Sequence, residues 1–273
     1  MRIVPARHGV LWLQQGWKLF RKSPAAWIFL SLGLLLATGF INLIPWVGPA
    51  LATALIPVFS VSFMAACATA AGDGTLRPGL LLEGFRQGGT PLYVLCGLYL
   101  MAMLMALGLS TLADNGVMLR WMLLSERPPD AAILDGSLAG ALALAALATT
   151  PVLMAFWFAP VLVAWQNIGA AQALFYSFFA SLRNWRAFAV YAGSLGAIGF
   201  SVSLFLTALV PLLKGGAGEG LIVMLPTVLV MLNVMFLPVL FASFYFSYLD
   251  IFPDEGPDDL DDPLPGSADQ TPG

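Results

Sequence analysis

Six stretches of this chain, each 20 residues or longer, contain no Asp, Glu, Lys, Arg or His: Ala25–Ile44, Val47–Ala71, Leu92–Ala113, Leu138–Trp165, Ala187–Leu213 and Leu221–Leu249. A hydrocarbon core about 30 Å thick is crossed by roughly 20 apolar residues rising about 1.5 Å each. In lipid, an α-helix satisfies its own backbone polar groups. One charge at the centre of such a span would cost roughly 2.5–3.5 kcal/mol on the insertion scale. The pattern predicts an all-α transmembrane protein, a six-helix bundle.

The chain of 273 residues is 59% hydrophobic and 10% charged, where soluble domains run to about 45–50% and about 25%. The six spans take up most of its length, so no sizeable extramembrane domain is expected. Three regions follow: an amphipathic interfacial segment 1–24, a six-span membrane domain 25–249 and an acidic tail 250–273. The net charge of −3 hides a segregation. Asp250 to Gly273 holds 8 acidic residues and no basic one, leaving 7 of the 15 acidic residues against all 12 basic ones. These basic residues flank the spans, where anionic lipid head groups attract them. Membrane lipids are therefore the expected partners, and nucleic acid is not. The tail, rich in Pro, Gly, Ser and Asp, cannot bury enough apolar area to offset ordering entropy, so disorder is expected. Its Asp258, Asp259, Asp261 and Asp262 match no calcium-loop spacing.

The first apolar run exceeds the roughly 7–15 residues of a signal-peptide core and leads into a tight hairpin, so it is read as a retained span. Cys67 and Cys96 fall in or beside spans and read as small buried hydrophobes, with no disulfide framework.

Basic residues choose a side. Arg2, Arg7, Lys18, Arg21, Lys22, Arg77, Arg86, Arg183 and Arg186 precede odd-numbered spans, whereas only Arg120, Arg127 and Lys214 lie in the opposite loops. Positively charged loops stay cytoplasmic, which predicts both termini inside.

One unit recurs three times. Each copy has a lead segment ending in Phe or Leu followed by Arg (Phe20-Arg21, Phe85-Arg86, Leu182-Arg183), then a span, a turn and a second span with an internal Pro-Val (Pro57-Val58, Pro160-Val161, Pro238-Val239). The expected architecture is three helical hairpins, each preceded by an interfacial amphipathic segment. In the first lead, Gln14, Gln15, Lys18, Arg21 and Lys22 share a sector of about 120° at 100° per residue. Trp12, Leu13, Trp17, Leu19 and Phe20 lie opposite, the division of a helix lying in the head-group plane, rings down and cations up. Lys18, Arg21, Lys22, Arg86, Arg183 and Arg186 are the candidate head-group contacts. The second lead, Thr75–Thr90, is Gly-rich and a doubtful helix, and the third is Ala170–Arg186. Ser23-Pro24 and Thr90-Pro91 read as N-cap and first helical residue of their spans.

Prolines remove a backbone donor and clash with the preceding turn. Pro57, Pro160 and Pro238, with Pro49, Pro151 and Pro226 nearby, predict bends in spans two, four and six. Val117–Leu124 is expected as a short helix in the longest outer loop, while the Gly-rich Lys214–Gly220 lacks the strand and Lys-Ser/Thr of a phosphate loop. The small residues Ala192, Gly193, Gly196, Ala197 and Gly199, like the Gly136/Gly140 pair, suggest close helix packing within the chain or between copies.

Reactive chemistry is sparse. His8 is the single histidine, which excludes a histidine-rich metal site or an H-E-x-x-H pair within this chain, and no G-x-S-x-G is present. No cofactor is expected. The spans hold no ionisable group of the kind that pumps place there. Asn42, Gln166, Asn167 and Asn233 are the notable deep amides, read as interhelical hydrogen-bonding groups or a polar path.

The opening Pro5-Ala6-Arg7-x-Gly9-x-x-Trp12-x-x-x-Gly16-Trp17-x-Leu19-Phe20 resembles the start of a family of uncharacterised bacterial multi-pass inner-membrane proteins. Leu43-Ile44-Pro45-x-x-Gly48-Pro49 and Pro57-Val58-x-Ser60-Val61-x-Phe63-Met64 are similar to that family too. More loosely, the lead plus six spans is similar to the membrane domains accompanying some glycerophosphodiester phosphodiesterases, without their catalytic domain. The resemblance implies a bacterial inner-membrane location and carries over no catalytic residue.

The expected function is that of a non-enzymatic membrane component: a scaffold, a partner-binding protein (a second copy included) or a lipid organiser. The alternatives are a carrier or channel for a neutral or lipidic substrate and, least supported, an interfacial enzyme using His8, Glu83 or Asp114.

Overall fold

In the computed structural model, residues 1–124, 126–212 and 218–253 are described, the side chains of 124, 207–212 and 218–228 excepted. All regular structure among them is helical: α1 His8–Lys22, α2 Pro24–Asn42, α3 Gly48–Ala54, α4 Ile56–Ala71, a 3-10 turn Pro78–Leu82, α5 Glu83–Arg86, α6 Gly89–Asp114, α7 Val117–Leu124, α8 Asp130–Leu134, α9 Ser137–Phe156, α10 Ala159–Gln166, α11 Ala170–Arg183, α12 Trp185–Leu212 and α13 Gly218–Ile251. The helices α2, α6, α12, α13 and the α9–α10 unit are long and apolar enough to cross a membrane. The pair α3 and α4, bent by 46°, makes a sixth if counted as one span.

The breaks stand just ahead of the prolines. The α3–α4 bend falls at Leu55, two residues before Pro57, and the α9–α10 interruption at Trp157-Phe158, two residues before Pro160. A serine accounts for the second. In an unbroken helix the Phe158 N–H would donate to Met154 O. Here it donates to Ser177 Oγ at 2.8 Å, and that hydroxyl donates to Met154 O at 2.9 Å. A hydroxyl of α11 is thus inserted into the hydrogen-bond ladder, a recognised cause of helix breaks. In span six, α13 runs on as helix through Pro238. Neighbouring helices let a membrane helix tolerate a proline. The side chain of Pro226, the segment 213–217 with Lys214, and the tail residues 254–273 lie outside the described residues.

Lead segments pack across the sequence repeats. The lead helix α1 lies chiefly on α13 and then on α12; the 3-10 turn and α5 lie on α4; α11 lies on α9 and α10. Close approach replaces bulk at these contacts. A Cβ on Gly84 would collide with Val58 O, and one on Gly9 would stand 2.6 Å from Tyr191 N. Ser62 of α4 repeats the inserted-hydroxyl device, accepting from Gly84 N at 2.9 Å and donating to Leu81 O at 2.8 Å. The resulting core gathers Trp12, Trp27, Val58, Phe63, Leu95, Phe158, Leu162 and Tyr248.

Two expectations are corrected. The ring face of α1 turns onto protein instead of lipid: Trp12 is fully buried, 5.4 Å from Phe188 and 6.2 Å from Tyr191 between ring centroids. Trp17 alone of its two tryptophans stays half exposed. The first-span start also moves in the second unit. Gly88, at φ +85°, is the N-cap of α6 instead of Thr90, a left-handed conformation open to glycine.

The N-terminal segment meets the end of α13 and the junction of α11 with α12. Arg2 N–H donates to Ile251 O at 2.8 Å, Val4 N–H to Asn184 Oδ1 at 2.8 Å, and Asp250 Oδ2 accepts from Trp12 Nε1 at 2.6 Å and lies 2.8 Å from His8 Nδ1. Lys22 Nζ donates to Asp73 Oδ1 at 2.7 Å, joining the end of α1 to the turn after α4.

Candidate functional site

The Pro-Val steps converge. Pro57, Pro160 and Pro238 are buried, as are Val58, Val161 and Val239. Helix α4 packs on both α10 and α13, and Phe63 stacks on Phe241 at 4.4 Å. On the side where the two broken spans part, a cavity of about 340 Å³ opens among Pro57, Ser60, Tyr99, Trp157, Pro160 and Phe241. Its walls are otherwise hydrocarbon and aromatic, so it suits an apolar guest.

A groove of about 390 Å³ runs beside it between α9 and α12, floored by Thr150, Met154, Trp157, Phe188, Ala192 and Leu195, with Trp185 at one end. Cavity and groove share Leu153, Trp157, Tyr191 and Leu195. A further recess of about 410 Å³ between α12 and α13, lined by Trp17, Leu195 and Asn233, shares Leu195 with both. The inserted Ser177 hydroxyl fixes the break at Trp157, whose ring sits 5.7 Å from Phe188 and 6.1 Å from Tyr191. The Trp157 indole N–H is buried, and among the described residues it has no acceptor. Unsatisfied buried donors are uncommon and call for an explanation.

One cation lies beside the Trp185 end of the groove. The Arg186 guanidinium lies over the Trp185 ring, 5.6 Å from its centroid. Arg183 and Arg186 are exposed, and among the described residues neither has a carboxylate within ion-pair distance. Lys18 and Arg21 of α1 are likewise exposed with no ion pair among the described residues, whereas the two other candidate cations are paired. Arg86 pairs with Glu83 at 3.1 Å, and Lys22 pairs with Asp73. The hydrogen bond from Lys22, then its charge, holds the Asp73 carboxyl below its ordinary range.

The four amides do not come together. Asn42 ends α2, is exposed and donates to Thr38 O in its own helix. Asn233 is exposed on α13 and donates to Leu229 O. Gln166 ends α10, 3.3 Å from Tyr248 OH, and Asn167 follows it at φ +53°. The candidate reactive groups are apart as well. His8 faces Asp250, Glu83 faces Arg86 and Gln87, and buried Asp114 accepts from Gly116 N and Met118 N, capping α7. The glycines of the α12 seam face open space: among the described residues, a Cβ on Gly193, Gly196 or Gly199 would find no atom within 4 Å. Gly140 does pack, with Ala113 Cβ 3.6 Å from its virtual Cβ.

Sequence reasoning missed Trp157, Ser177 and the close-contact glycines. The spacing of seven between Gly9 and Gly16 puts both on one helix face and could have exposed the contact. Nothing local marks Ser177, because its partners lie 19 and 23 residues away.

A probable inner membrane protein of Burkholderia thailandensis is 38% identical over 256 residues, covering 91% of this chain and 92% of that protein. The chain belongs to that protein's family. No family model matches, and no solved structure matches. Together with the apolar helices, the relationship makes this an integral, multi-pass membrane protein.

Proposed function

We propose that this chain is a non-enzymatic protein of the bacterial inner membrane that organises lipid by seating acyl chains in its joined cavity and groove. In this reading it has six spans in three hairpins, with both termini in the cytosol. The cavity of about 340 Å³ between the two broken spans carries the proposal, because it is apolar, lies within the spans and joins two further recesses at Leu195. The relative's name, the distribution of basic residues and the dispersal of His8, Glu83 and Asp114 support it. The open face of Gly193, Gly196 and Gly199 would serve a second copy or a protein partner.

Native mass spectrometry of the full-length protein extracted in mild detergent tests this reading. Bound lipid should survive extraction and fall in Leu153→Trp, which fills the shared wall. A lipid-free wild-type protein would refute it.

A carrier for a neutral or lipidic substrate is the second reading, favoured by the helix breaks that flank the cavity at Pro57 and Pro160. Proteoliposomes should then scramble or take up lipid at a rate lowered by Leu153→Trp, and flux equal to empty vesicles would dismiss it.

A further inference from the structure

Four arginines share the junction where α13 ends. Arg2 N–H donates to Ile251 O at 2.8 Å. The Asn184 side chain holds the same N-terminal segment, its Nδ2 donating to Arg2 O at 3.1 Å and its Oδ1 accepting from Val4 N at 2.8 Å. Arg183 stands one residue before Asn184 and Arg186 two after it, while Arg7 precedes His8, which lies 2.8 Å from Asp250. All four arginines are exposed, and among the described residues none has a carboxylate within ion-pair distance. Asp250, the carboxylate at this junction, is taken up by Trp12 and His8.

The acidic part of the sequence begins at the same place. Phe252 is buried and Pro253 is exposed, so the chain reaches the surface beside the arginines. Residues 254–273 carry seven acidic groups and no basic one. Asp254 and Glu255 are three and four residues beyond Ile251, so their Cα atoms lie within roughly 11 and 14 Å of it. An extended arginine side chain narrows that gap to about one Debye length in physiological salt. Connection through the chain also gives such a segment an effective concentration in the millimolar range.

We propose that Arg2, Arg7, Arg183 and Arg186 form a docking surface for this chain's own acidic segment 254–262, which folds back over them and competes with anionic lipid head groups for Arg183 and Arg186. This goes beyond the lipid-organising reading and does not rest on it. Charge and connection fix the occupant. An anionic lipid brings one charge per head group and must be recruited, whereas segment 254–262 brings six and is already attached.

Full-length protein in uncharged micelles at low salt, treated with glutamyl endopeptidase, tests the surface by the rate of cleavage after Glu255, read by mass spectrometry. Wild type should be cut about 15-fold more slowly than R2Q/R7Q/R183Q/R186Q, since four exposed pairs each contribute close to a factor of two. D258N/D259N/D261N/D262N, which leaves every described residue intact, should also be cut faster than wild type, and combining the two sets should add little to the arginine changes alone. At about 0.5 M salt the wild-type protection should vanish. Phosphatidylglycerol added to the micelles should speed cleavage of wild type and leave the arginine variant unaffected. Equal cleavage of wild type and the arginine variant at low salt, protection that survives high salt, or protection unchanged in the Asn variant would each overturn the docking. If both proteins are cut alike while wild type alone retains phosphatidylglycerol over phosphatidylethanolamine, the arginines serve lipid and the docking is likewise overturned.

Discussion

Gly16 of α1 lies against the backbone of Ser243 in α13: a Cβ on Gly16 would stand 2.9 Å from Ser243 N and 2.6 Å from Val239 O. Because both obstacles are backbone, neither can swing aside. Gly16→Val should therefore destabilise by about 1–3 kcal/mol through overpacking. Gly193→Val, on an open face, should change stability by less than about 0.5 kcal/mol from sterics. Thermal unfolding in a single detergent compares the two, and equal melting temperatures would contradict the packing of α1 on α13.

Ser177 is the hinge pin of the α9–α10 break. Ser177→Ala leaves the buried Phe158 N–H without its acceptor. The expected loss is about 1–3 kcal/mol, the cost of an unsatisfied buried donor, read as a lowered melting temperature. An unchanged one would mean that the ladder closes directly onto Met154 O.

Asp250, near the end of α13, holds α1 through Trp12 and His8. Asp250→Leu strands the indole N–H of fully buried Trp12, again at about 1–3 kcal/mol. Limited proteolysis near residue 8 should speed up, with a smaller effect in Asp250→Asn, which keeps an acceptor oxygen.

The Lys22–Asp73 link carries a pH signature. Asp73 is held below its ordinary carboxylate range by Lys22, so its contribution is present above that range and lost as pH falls through the lowered midpoint. Both side chains are largely exposed, so solvent screening keeps the effect small. A double-mutant cycle of Lys22→Met and Asp73→Asn should give a coupling near neutral pH that vanishes in acid and weakens in high salt. A coupling that grows in acid would reverse the sign worked out here.

Reporter fusions test the orientation. Fusions at Gly74 and Gly273 should report the cytosol, and fusions at Pro129 and Gly216 the opposite side, as the placement of basic residues predicts. A Gly273 fusion reached from outside an intact cell would invert the topology.

Charge-free length and the positions of turn residues were readable directly. The range of α7, Val117–Leu124, and the extent of α2 follow from local pattern. The amphipathic division of α1 was also visible, but its partner was not. Trp12 faces Phe188 and Tyr191, more than 170 residues onward, where a lipid contact was the natural expectation. The prolines marked two of the breaks, yet only Ser177 explains where the second falls, and Pro238 lies within continuous helix.

From residues alone come helices, an embedding medium and the flanks on which cations gather, since the transfer of charge and of unpaired backbone into hydrocarbon is costly enough to settle those locally. Which lead segment rests on which span, where a serine opens a helix and which apolar walls enclose a cavity were decided only in three dimensions. Lipid tails are as apolar as a leucine side chain, so hydrophobicity cannot distinguish a buried face from a lipid-facing one, and close packing with a few inserted hydrogen bonds makes that choice.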